Sequence, residues 1–196
     1  NTTTVELPHT FQTSFGGAVA YKYDCRVTFN NCDVSQNNAT VGGGIYGFAS
    51  GVEITDCNVF DNEAYLGAGL YLDDDQAVIT RALVQQNRAL VPPAVGVGES
   101  LEQTGQGAGM FAHVLDFKLK DSIFVQNQAD MSGGGLMLSG TVTEKADIFN
   151  CLFADNRAPR DGGSASVNWI GGEPSETNWS PNAMFTNCTF ADNVSQ

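Results

Sequence analysis

Two short motifs alternate along the chain, and their spacing restricts the fold more than any other feature. The first is Gly-(Gly/Ala)-small-apolar, beginning at Gly16, Gly42, Gly67, Gly107, Gly133 and Gly162. The second is small-x-(Val/Phe)-x-(Gln/Asp)-Asn, closing at Asn37, Asn62, Asn87, Asn127, Asn156 and Asn193. Successive closing asparagines lie 25, 25, 40, 29 and 37 residues apart. The longer intervals contain insertions, one over residues 89–106 with Pro92-Pro93 in it and one Trp-bearing loop over residues 169–182. The underlying period is about 25 residues, the length of one solenoid coil.

Alternatives fail on residue type. Helical repeats need long runs of 3.6 periodicity, which units rich in Gly and β-branched residues do not supply. The LxxLxL core of leucine-rich repeats is missing, and a propeller blade needs about 40 residues. The expected fold is all-β: a right-handed parallel β-helix of about six coils, each with three short strands, forming a single segment over residues 1–196. Right-handedness follows from the crossover rule, obeyed in about 98% of cases.

Alternation lays out each coil. The first strand should stack Val19, Ile45, Leu70, Met110, Leu136 and Ala165 inward. The second should stack Val27 and Phe29 under Val52 and Ile54, then Ala77 and Ile79, Phe117 and Leu119, Ala146 and Ile148. The third pairs a small residue with a large one: Cys32 with Val34, Cys57 with Val59, Ala82 with Val84, Ser122 with Phe124, Cys151 with Phe153, Cys188 with Phe190. The closing asparagines belong at the corner before the next coil. Asn tolerates the left-handed conformation there, and its amide can pair with the equivalent amide about 4.8 Å away to form a ladder.

These residues resemble a known repeat. Gly-Gly-Ala-Val at 16–19, Gly-Gly-Gly-Ile at 42–45 and Gly-Gly-Gly-Leu at 133–136 look like the GGA(I/L/V) half of the polymorphic outer membrane protein repeat. Residues 124–127, 153–156 and 190–193 match its FxxN half; Val replaces Phe in the first three coils, and the Gly half decays to Gly-Gly-Ser-Ala in the last. The resemblance implies a β-helix of the pectin-lyase-like superfamily and surface-exposed, adhesin-like proteins.

Composition narrows the function. The 196-residue chain is 42% hydrophobic and carries a net charge of −13, which argues against a basic face for nucleic acid or anionic membrane. No run of eighteen apolar residues spans a bilayer. Sequons at Asn1, Asn38, Asn178, Asn187 and Asn193 point to an extracellular or cell-surface glycoprotein. Of these, Asn38, Asn178, Asn187 and Asn1 are the glycosylation candidates, whereas sugar on the ladder residue Asn193 would conflict with packing. Cys32, Cys57, Cys151 and Cys188 share one inward position and read as buried reduced thiols. Cross-coil disulfides Cys32–Cys57 and Cys151–Cys188 are the less favoured alternative, since parallel Cβ vectors are rather far apart. Cys25 has no evident partner.

Other candidates are weighed the same way. Asp73, Asp74 and Asp75 form the densest acidic run; calcium needs six or more oxygens from several directions, so a solvated surface turn is the simpler reading. An outward stripe of Tyr46, Tyr71, Phe111 and Met137 is a candidate partner or glycan surface unless a loop covers it. The nine Lys and Arg residues are scattered and the signature motifs of pectinases are absent, although coil alignment brings residues 73–75 near His113. The expectation is a non-catalytic structural or adhesive module without a cofactor, partnered by neighbouring β-helix coils, further copies in a filament, or glycans. The alternatives are a polysaccharide lyase or hydrolase and a glycan-binding module. Open strand edges expected near Phe15 and Gln196 favour membership of a longer stack.

Overall fold

The computed structural model describes residues 14–92, 104–140, 145–169 and 182–195. All regular structure among them is β, and every strand pair is parallel. The chain winds as a solenoid in which the strands of each coil pair in parallel with the equivalent strands one coil away.

The expected register is observed. Val19, Ile45, Leu70, Met110, Leu136 and Ala165 are consecutive partners in the first-strand ladder. Val27, Val52, Ala77, Phe117, Ala146 and Ala183 align in the second. The third strands form a six-stranded sheet with Val34, Val59, Val84, Phe124, Phe153 and Phe190 in line. Apolar side chains from all three ladders meet in one core whose central members are almost fully buried. Burying a side chain of this size is worth about 1.5–3 kcal/mol.

Three features differ from the expectation. First and second strands are not always separated by a corner: Leu70–Thr80 and Met110–Lys120 run as single 11-residue strands and fuse the two ladders into one sheet. A fourth, two-residue strand follows each of five closing asparagines: Glu63–Ala64, Arg88–Ala89, Gln128–Ala129, Arg157–Ala158 and Val194–Ser195. Its inward alanines, Ala64, Ala89, Ala129 and Ala158, form a separate seam with Ala68 and Ala108 of the glycine turns. Two-residue strands carry almost no alternation, which is why the pattern did not show them. Finally, the left-handed residue is the one before each ladder asparagine. Gln36, Asp61, Gln86, Gln126, Asp155 and Asp192 have φ between 52° and 58°. The asparagines are selected for their amides instead.

The two motifs are joined physically. Gly67 opens its turn at φ +60°, and a Cβ there would lie 2.8 Å from that of Tyr71. A Cβ on Gly69 would come within 3.1 Å of the Asn87 amide. The glycine at the third position of the turn therefore leaves the space that the closing asparagine of the same coil occupies.

Candidate functional site

The interior columns are hydrogen-bonded throughout. From Asn37 to Asn193, each Nδ2 donates to the next asparagine's Oδ1 at 2.9 or 3.0 Å, and each backbone N–H donates to the same oxygen. The second amide proton of Asn62, Asn87, Asn127, Asn156 and Asn193 goes to a third-strand carbonyl one coil back. The small-residue column works similarly. The five cysteines are free thiols. The Cys32 N–H donates to Cys57 Sγ, and the Ala82 N–H to Ser122 Oγ. Burial raises the Cys57 thiol and pushes Cys151 up to about 11, so both stay protonated and serve as corner hydrogen-bonding groups rather than nucleophiles. A second, outer ladder escaped the sequence reading. Arg81 clasps Asp56 with bonds of 2.6 and 2.7 Å, and Asn187 donates to Asn150, which donates to Asp121. The guanidinium holds the Asp56 carboxyl below its usual range.

The expected aromatic stripe is a stack, but it is not an open surface. Tyr46, Tyr71 and Phe111 lie ring on ring at 5.2 Å, within 5° of parallel. Tyr46, Phe111 and Met137 are only 6%, 3% and 1% exposed. A face shielded within its own chain does not offer a partner surface, so that assignment is corrected. Burial, reinforced by the Asp73 charge, raises the Tyr71 hydroxyl far above its ordinary value.

Chemistry collects farther along the same outward face. Lys22, Phe48, Asp73 and His113 are successive register partners. His113 Nδ1 lies 3.0 Å from Asp73 Oδ1. Beside this row, Asp116 accepts from Gln76 at 3.1 Å and from Lys118 at 2.9 Å. Coil alignment thus brought His113 to Asp73 as anticipated, whereas the cluster of Asp116 with Gln76 and Lys118 was missed. The acidic run Asp73, Asp74 and Asp75 lies within the strand Leu70–Thr80, not in a surface turn. The side chains of Asp74 and Asp75 lie outside the described residues. Among the described residues no group of three or more metal-binding side chains converges.

Of the sequons, Asn38 is exposed and its amide donates to Glu63 at 3.1 Å. Asn187 is exposed at φ 54°, and Asn193 sits in the ladder. Asn1 and Asn178 lie outside the described residues. Two grooves flank the fourth strands: one of about 280 Å³ beside Gln128, Asp130, Arg157 and Pro159, and one of about 150 Å³ beside Asn38, Thr40, Glu63 and Tyr65.

The family described as a right-handed β-helix region matches residues 1–157. The chain belongs to the right-handed β-helix family. No curated protein and no solved structure matches it. The family holds enzymes and non-enzymes alike, so the activity of this β-helix has to be argued from its own surface.

Proposed function

We propose that this β-helix is a glycosylated extracellular structural or adhesive module of the kind its GGA(I/L/V) and FxxN halves resemble, able to pack against further coils or copies in a filament. The observation that carries this reading is the continuous asparagine ladder, in which buried amides are satisfied coil after coil. A column of this kind rigidifies a rod. Outward groups such as Arg81 with Asp56 and Asn150 with Asp121 are paired across coils, and the two grooves beside the fourth strands are small. A second reading, a polysaccharide lyase or hydrolase, draws on Asp73, His113, Asp116 and Lys118 lying on one face.

Incubation of the chain with uronate-containing and neutral polysaccharides, with and without calcium, separates the two. The scaffold reading expects no new reducing ends and no unsaturated sugar; sustained release of either favours the enzyme. Secretion from a glycosylating host should add sugar at Asn38 and none at Asn193, read by peptide mass. Sugar on Asn193 with none on Asn38 would overturn the assignment of glycan sites.

A further inference from the structure

The small-residue column brings cysteines together in two places. The Asn58 N–H donates to the Cys32 carbonyl at 2.9 Å and the Thr189 N–H to the Cys151 carbonyl at 2.8 Å. These bonds set Cys32 beside Cys57, and Cys151 beside Cys188, in neighbouring coils. Within each pair the two side chains are in hydrogen-bonding contact. Ala82 and Ser122 fill the same column between the pairs, so the four thiols divide into two separate groups.

The spacing suits a bridging ion better than a bond between the sulfurs. Side chains on adjacent parallel strands point the same way, which leaves the two sulfurs roughly one coil rise apart, about 4–5 Å. A disulfide needs the sulfurs at about 2.05 Å and the Cβ atoms drawn in to about 3.8 Å. Two metal–thiolate bonds of about 2.3 Å, set end to end, span about 4.6 Å. Each pair also joins an inner thiol to a more accessible one. Cys57 and Cys151 are 1% and 3% exposed, whereas Cys32 and Cys188 are only partly buried, so an ion can be met at the outer sulfur and completed by the inner one. The Cys32 N–H is aimed at Cys57 Sγ at 3.4 Å, and the Ser122 backbone bonds to Cys151. Both inner sulfurs therefore face a donor that favours the charged, ligating form. Soft thiolates select monovalent copper, an ion satisfied by two ligands in line. Zinc takes four, and no group of three or more metal-binding side chains converges among the described residues.

We propose that Cys32 with Cys57, and Cys151 with Cys188, form two linear bis-thiolate sites for monovalent copper. In each site two S–H bonds break and two S–Cu bonds form. The protons displaced, among them those that Cys57 and Cys151 now direct to the Thr55 and Phe149 carbonyls, pass to water. Copper enters and stays as Cu(I), so no electron is exchanged. The sites are independent of the scaffold reading, since a rod can carry them and their failure leaves the polysaccharide result unchanged.

The test uses the full chain as Cys25→Ser, which removes the exposed thiol, loaded without oxygen with Cu(I) and ascorbate against bicinchoninate as competing chelator. The chain is expected to retain two copper ions, and X-ray absorption to show two sulfurs in line at each. Adding Cys57→Ser should lose one ion, and adding Cys151→Ser as well should lose both. Serine already serves in this column, where Ser122 Oγ accepts from the Ala82 N–H. The serine variants should therefore keep a cooperative melt without copper, separating loss of metal from loss of fold. Fewer than two ions in Cys25→Ser, undiminished uptake after both further substitutions, or three or more sulfurs around each copper would overturn the proposal.

Discussion

An asparagine amide offers two donors and an acceptor oxygen, and Asn127 uses all of them. It donates to Asn156 Oδ1 and to the Val84 carbonyl, and accepts from the Asn87 backbone and side chain. Asn127→Ala strips these bonds from the buried Asn87 N–H and amide and from the Val84 carbonyl, while Asn156 Oδ1 keeps the backbone N–H of residue 127. Equilibrium urea unfolding should show a loss of about 2–4 kcal/mol. Asn127→Asp keeps the acceptor but removes both donors and introduces a buried charge, so it should cost at least as much at neutral pH. The identity and spacing of these asparagines were legible because hydrogen-bond chemistry ties them to one corner. Their backbone conformation was not: Gln86 and Asp155 take the left-handed turn, and nothing in their side chains distinguishes them from other surface residues.

At the scale of the strand, the third-strand column changes from valine to phenylalanine along the chain. Phe124, Phe153 and Phe190 stack at 5.1 and 5.2 Å, close to the spacing between coils. The column converts that spacing directly into ring contact, worth about 0.5–1.5 kcal/mol per pair beyond burial. Phe153, fully buried between two rings, should cost about 3–5 kcal/mol on change to Ala. Phe190 is 48% exposed, and Phe190→Ala should cost less than half as much in the same urea titration. Alternation revealed both phenylalanines because they recur at one register position. It missed the alanine strands, whose two residues are too short for a period.

At the scale of the molecule, burial is uneven. Leu70, Ile79, Val84, Met110, Leu119 and Phe124 are completely enclosed, whereas Val27 and Phe29 at one end and Ala183 and Phe185 at the other are only partly buried. A solenoid is stabilised by nearest-neighbour interfaces, and opening begins where there are fewest. Amide hydrogen exchange should be slowest in Leu70–Thr80 and Met110–Lys120 and faster in Arg26–Asn30 and Asn182–Thr186. Uniform protection would show that the coils open together. The glycine–asparagine contact has a consequence for how such a chain can grow. Gly69 and Asn87 meet within one coil, so each coil carries both halves of its own clasp. A genetic event that copies or removes one whole coil transfers a working cassette, while a break between its glycine turn and its asparagine leaves two neighbours unfastened.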